Sequence, residues 1–346
     1  MPTNQYAQTV LGPVPADQLG HTQTHEHLLS DLSRPLTAEA TATERKRDNE
    51  LIRLDNYYEI RRYHSAEDLR LHDVQDAVDE LLPYRAKSGG AVVEASSIGL
   101  GRDPLGMAEI AKRTGVHIVM GCGYYCRAYH PPELDEASEA EVTARIVRDV
   151  QEGVDETGIR AGIIGEIGLS WPVHPVEQKV LRAAIAAQRE TGAALLIHPG
   201  RGEPAPLDAM RTVESLGGQA DRVIMSHIDR TLFDTRSIRE LAATGCYVEF
   251  DLFGQESSYY PFAPIDMPND ATRVDYIADL ISAGYLNKVL IAQDICSKTH
   301  MRKYGGEGYT HILDNVLPLM RRKGFTEEQI HAITVDSPAH VLPMPL

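Results

Sequence analysis

The 346-residue chain lacks most of what would place it in several broad classes of protein. It has no apolar run approaching the length of a membrane span. It is poor in positive charge: 34 Lys and Arg stand against 50 Asp and Glu, giving a net charge of -16 and a pI near 5.3. That balance argues against nucleic acid or an anionic membrane as main partner, since both need a basic footprint. Four cysteines, Cys122, Cys126, Cys246 and Cys296, are too few and too irregularly spaced for a disulfide framework or a zinc ribbon. They read as free thiols of a reducing cytoplasm. The first twenty residues carry no basic and apolar signal-peptide pattern. There is no G-x-S-x-G elbow, no Walker A loop and no dinucleotide fingerprint. A serine nucleophile of that type, a phosphate-cradling loop and a nicotinamide site are thereby set aside.

What is present is a regular beat. Short apolar runs ending in glycine or polar residues alternate with amphipathic helical patterns: "GAVVEASS" from Gly90, "VHIVMGCGYY" from Val116, "AGIIGEIGLS" from Ala161 and "AALLIHPG" from Ala193. "RVIMSHIDR" from Arg222, "CYVEFDLFG" from Cys246 and "KVLIAQDIC" from Lys288 continue it. Near-continuous apolar strands are buried on both faces, as in a parallel sheet. Seven such units predict an eighth. "LGHTQTHEH" supplies it, although it is poor in Val and Ile. The expected architecture is a single α/β domain over residues 1–346, a (β/α)8 TIM barrel. Residues 28–64 exceed what one βα connection needs and form an insertion after strand one, on the active face: either a lid or a charged helix packing on the rim or on a partner subunit. Ser65 is the expected N-cap of the first barrel helix, and Thr326 with Gln329 forms a capping box at the start of a late one.

Active groups of such barrels stand at the C-terminal ends of the strands. Strand one ends with His25 and His27, strand four with Glu166, strand five with His198, strand six with His227 and strand eight with Asp294. Residues two apart on a strand share a side at about 6.5 to 7 Å. Two imidazoles placed so can reach one ion at about 2.0 to 2.1 Å. Asp294 completes that set, His198 and His227 hold a second ion, and Glu166 lies between them with two oxygens to bridge. Two ions about 3.5 to 4 Å apart lower the pKa of a bridging water and polarise an acyl or phosphoryl oxygen. Asp294 then serves as proton acceptor and donor. The expected reaction is hydrolysis by a metal-bridging hydroxide, without a covalent intermediate.

The set "THEH … GEIG … IHPGR … SHIDR … QDI" resembles the phosphotriesterase branch of the amidohydrolase superfamily. The likeness to its phosphotriesterase-related members extends to "QTVLG" at Gln8, "EFDLFG" at Glu249 and "KYGGEGYTHIL" at Lys303. The resemblance implies two divalent ions, zinc first with manganese, nickel or cobalt as substitutes, and hydrolysis of amides, esters or lactones. The phosphotriesterase-related members are associated with N-acetyltaurine and similar N-acyl amino compounds. Organophosphate-hydrolysing members bridge their metals with a carbamylated lysine on strand four. "RAGIIGEIGLSW" has no lysine, so Glu166 must serve, one residue later than the lysine would fall. Leu252 stands where lactonase relatives tend to carry arginine.

An N-acyl amino acid or sulfonate carries an anion a few bonds from the scissile amide. Arg201 and Arg230, just beyond His198 and His227, could clamp it; the alternative is an ion pair with Asp229, Glu203 or Asp234. Tyr125 and Trp171 are candidate pocket walls, or plain packing. Tyr309 and His311 are expected at the start of a helix. The expected partners are a small anionic substrate and a second copy of the chain in a homodimer.

Overall fold

Eight parallel strands carry the architecture: β1 (His21–Glu26), β2 (Gly89–Glu94), β3 (His117–Cys122), β4 (Ile163–Gly168), β5 (Ala194–His198), β6 (Val223–Met225), β7 (Tyr247–Phe250) and β8 (Val289–Ile291). The computed structural model describes residues 5–34, 40–257, 260 and 262–345. Each strand pairs with the next in chain order, the β-sheet of a TIM barrel. Every run expected to be a strand is one. So is β1, where the pattern of propensity was weakest and every residue is buried. Burial inside a barrel overrides the modest β-preference of His, Gln and Glu.

Alternation along the strands sorts the core into two layers. Ala91, Val93, Val119, Ile163, Ala194, Leu196, Ile224 and Leu290 fill the barrel near the strand starts, and Ala7, Leu19, Val341 and Leu342 plug that end. Their alternating neighbours, among them Val92, Ile118, Ile164, Leu195, Ile197 and Val248, face the surrounding helices. With both faces covered, β2 to β8 are largely apolar. Toward the C-terminal ends the interior changes character, and the buried side chains become His, Glu, Asp and Ser.

The connections follow local rules. Helix Pro175–Thr191 starts with proline in its first turn and ends on Gly192 at φ 72°, and helix Pro104–Thr114 ends on Gly115 at φ 69°. The late helix Glu327–His331 has the expected capping box between Thr326 and Gln329. Ser65 does not cap the first barrel helix. That helix is Val74–Ala86, and Asp73 caps it by accepting from the N–H groups of Gln75 and Asp76. Ser65 accepts from the N–H of Asp68 in the preceding turn. Between them Arg70–Leu71 pairs with Ser30–Asp31, and this pairing uses the residues an earlier helix start would need.

The insertion after β1 carries two short helices, Ala42–Asp48 and Tyr57–Tyr63; residues 35–39 lie outside the described residues. The segment 57–68 is tied to the loop after β8. The Tyr57 hydroxyl donates to Thr299 O at 2.7 Å, Asp68 accepts from Thr299 N at 2.8 Å, and Lys298 donates to Glu67 at 2.5 Å. Arg61 reaches Thr299 O, Gly254 O and the carboxylate of Glu307. The insertion therefore lies over the C-terminal mouth of the barrel.

Candidate metal centre and cavity

Six side chains expected at the strand ends come together. His25 and His27, both buried, point their Nε2 atoms at Glu166 and Asp294. The distances from His25 are 3.7 Å to Glu166 and 3.8 Å to Asp294, and those from His27 are 3.8 Å and 3.3 Å. Across the centre, Glu166 Oε2 lies 2.5 Å from His198 Nδ1 and 3.1 Å from His227 Nε2. The other oxygen of Glu166 faces His27. The sets His25, His27, Glu166 and Glu166, His198, His227 each gather their donor atoms closely enough to hold one ion, with Glu166 common to both.

Glu166 reaches this position through a bulge. On β4, Ile163 faces the barrel interior, while Ile164 and Ile167 face the helices. Strict alternation would turn Glu166 outward. Cys122 on β3 instead stands opposite both Ile164 and Gly165, and the pairing with β5 shifts between Ile164 and Ile167. One extra residue in the strand turns Glu166 inward. Gly165 is at φ +136°, and a Cβ there would lie 2.4 Å from the carbonyl oxygen of Leu196, so only glycine fits.

A second layer of buried polar groups fixes the histidines. His27 Nδ1 meets Ser96 Oγ at 2.9 Å, and that hydroxyl donates to Glu94 at 2.7 Å. His227 Nδ1 meets Asp251 at 2.9 Å. His25 Nδ1 meets Asp251 at 3.1 Å and Ser226 Oγ at 3.2 Å, and Ser226 donates to Glu249 at 2.9 Å. These partners occupy Nδ1 and turn Nε2 of each ring toward the centre. His25 Nε2 is buried there without a hydrogen-bond partner among the described residues. That orphaned nitrogen, the shared carboxylate and the N/O donor set fit divalent cations. Burial would push the Glu166 carboxyl up, but His198 and His25 outweigh it and hold it well below the usual carboxylate range. Burial is likewise outweighed at Asp251, which His227 holds ionised.

The centre opens into a cavity of about 880 Å³, lined by Tyr125, Arg201, Arg230 and Leu252 and, from the insertion, by Arg61 and His64. Tyr125 stands edge-on to the His198 ring at 4.8 Å. Arg230 is 3 % exposed and donates to Thr231 Oγ1, Pro199 O and His198 Nε2. Arg201 donates to the Tyr260 hydroxyl at 3.2 Å and lies over the Tyr260 and Phe262 rings. The alternative ion pairs do not form. Asp229 pairs with the buried Arg273 at 2.6 Å, Asp234 caps the helix Thr235–Ala242, and Glu203 accepts from Ser237. Trp171 is not among the residues lining the cavity. Its Cβ covers Gly200 and its indole covers Gly202 at the surface, which agrees with the packing alternative. Tyr309 is buried with its hydroxyl on the His27 carbonyl at 2.6 Å, and His311 begins the following helix.

Sequence reasoning missed Glu94, Ser96, Ser226, Glu249 and Asp251. The available signal was a carboxylate inside an apolar strand, as in "GAVVEASS" and "CYVEFDLFG". A buried charge in such a run needs a specific partner.

A parallel barrel with this buried ligand set at its C-terminal mouth defines the class, a metal-dependent hydrolase. The chain belongs to the phosphotriesterase family, whose model matches residues 5–342. It is 42% identical over 340 residues to the N-acetyltaurine hydrolase of Tetraodon nigroviridis, covering 96% of each chain. It is 39% identical to the phosphotriesterase-related protein of Nematostella vectensis, over 97% of this chain and 98% of that one. Among solved structures, the resiniferatoxin-binding protein from Rhodobacter sphaeroides superposes with a TM-score of 0.92 at 31% identity, covering 98% of this chain and 95% of that one.

Proposed function

We propose that the protein is an amidase that cleaves small N-acyl amino compounds bearing an anionic group, such as N-acetyltaurine or N-acetyl amino acids. The observation that carries this reading is Arg230: a guanidinium almost wholly buried beside His198, with no carboxylate paired to it among the described residues. A buried cation without a counter-ion is costly, and an anionic substrate offers the missing partner. Arg201 adds a second guanidinium on the same cavity wall, hydrogen-bonded to Tyr260 and with no carboxylate paired to it among the described residues. Relatives at about this identity include N-acetyltaurine hydrolases, which agrees with the reading.

His25, His27 and Asp294 would hold one cation and His198 and His227 another, with Glu166 between; zinc suits the donor set, and manganese, nickel or cobalt could replace it. When bound, such a pair supplies Lewis acidity toward the acyl carbonyl and makes water nucleophilic at neutral pH. The remaining work falls to the chain. Asp294, beside the His27 and His25 nitrogens, accepts the proton released as water attacks and returns it to the departing amine. Arg230 now gives a hydrogen bond to His198 Nε2, which leaves the imidazole proton on Nδ1. With His198 Nδ1 serving as a ligand, Nε2 would carry the imidazole proton and face the guanidinium, and Arg230 would be free for the substrate's anion. Tyr125, its phenol kept neutral chiefly by burial, walls the reacting end.

The test is a side-by-side hydrolysis screen of the metal-loaded protein on N-acetyltaurine, N-acetyl amino acids, their uncharged amides, lactones and aryl esters. The anionic amides should lead. Faster cleavage of lactones or aryl esters would make the protein a lactonase or carboxylesterase instead. Its four free thiols agree with a cytoplasmic setting, and among the described residues no helix is long and apolar enough to cross a membrane.

A further inference from the structure

β1 and β8 are the two ends of the hydrogen-bonded strand order, and among the described residues no strand ladder joins them. The seam between them is held in another way. Glu26, the residue between the two strand-one histidines, is fully buried. Its Oε1 accepts from the backbone N–H of Gln293 at 2.8 Å, and its Oε2 accepts from that of Ile295 at 3.0 Å. The N–H between these two, on Asp294, donates to the carbonyl of His25 at 3.1 Å. Three successive N–H groups around Asp294 are thus spent on residues 25 and 26.

We propose that Glu26 is a positioning residue that sets Asp294 against the His25–His27 pair. This inference rests on the reading of Asp294 as the proton-handling group. Asp294 needs such a clamp because it sits at φ +49°, a left-handed conformation uncommon outside glycine. Its neighbours are gripped one by each carboxylate oxygen, so the turn cannot relax without breaking a buried hydrogen bond. The grip leaves Asp294 Oδ1 at 3.3 Å from His27 Nε2 and 3.8 Å from His25 Nε2. One stretch of strand therefore presents two ligands and, through the residue between them, fixes a third from the opposite end of the chain. Glutamine cannot replace the clamp: it has one oxygen, and its NH2 group would face a backbone N–H.

The test is a double-mutant cycle of Glu26→Gln with Asp294→Asn, read as kcat, KM and metal content alongside Tm. Glu26→Gln should lower kcat by about 10- to 100-fold, as displacement of a catalytic group does, with little change in KM. It should also weaken retention of one of the two ions. In the Asp294→Asn background the same change should cost little further turnover, because the two act through one group. A full, additive loss of kcat in that background, or near-normal kcat in Glu26→Gln alone, overturns the positioning role and leaves the function of Asp294 standing. Near-normal kcat in Asp294→Asn overturns both. Should Glu26→Gln not fold, Glu26→Asp keeps two oxygens on a shorter arm and should lower kcat without moving KM. Unchanged kcat in a folded Glu26→Asp protein also overturns the proposal.

Discussion

Asp294 and Arg230 illustrate how little of a side chain's role lies in its identity. Asp294 is only 14 % exposed and lies within 4 Å of two histidine nitrogens. Asp294→Asn keeps the shape but cannot accept a proton, so turnover should fall by about 10² to 10⁴. Steady-state rates at matched metal content check this; near-normal turnover would assign the proton to another group. Arg230→Met keeps most of the bulk and removes the charge. A charge-assisted hydrogen bond contributes about 1.5 to 3 kcal/mol, or roughly 10- to 150-fold in kcat/KM. The variant should lose that factor on N-acetyltaurine and leave a neutral acyl substrate nearly untouched. The net charge of -16 sharpens the comparison, since the long-range field repels an anion and any preference must arise inside the cavity.

At the scale of elements, the insertion is positioned by a few polar ties across loops that share no sequence neighbourhood with it. Arg61 and His300 converge on Glu307, which joins the insertion to the loop after β8. Burial pushes the Glu307 carboxyl up, but His300 and then Arg61 outweigh it and hold it at about 2 against an ordinary 4.5. A depressed carboxyl stabilises the fold fully above its unfolded value, and that stability drains as pH falls through the folded one. Glu307→Gln should therefore melt below the wild type at pH 6. The gap should close as pH drops from about 4.5 toward 2. Thermal melts of both chelated proteins across that range measure it, and a gap independent of pH would show that the carboxylate's charge contributes nothing.

For the whole molecule, the candidate ligand set draws on the ends of β1, β4, β5 and β6 and the loop after β8, so a bound cation would join distant parts of the chain. Whatever binds the folded state alone stabilises it, by about 2.7 kcal/mol at a free concentration 100 times Kd. Purified protein should hold about two divalent ions per chain. Chelation should lower Tm by several degrees, and zinc should restore it. One ion or none in active protein, measured by elemental analysis, would overturn the binuclear reading.

The sequence by itself determined the barrel and the cast of its candidate metal centre. Apolar runs buried on two faces, spaced by amphipathic helices, leave few other architectures, and histidines two apart at a strand end share a side whatever surrounds them. These are local periodicities, and local chain geometry enforces them. The tertiary structure decided everything that depends on pairing between distant segments. The β4 bulge that turns Glu166 inward exists only against the registers of β3 and β5. Asp251 became a partner of two histidines because β1, β6 and β7 converge on it. Asp229 took Arg273 and left Arg230 without a carboxylate among the described residues, although Arg230 is its neighbour in sequence. Trp171 packs over Gly202 at the surface. A hydrogen bond or ion pair is won by whichever partner folding delivers within about 3 Å, and sequence distance does not encode that.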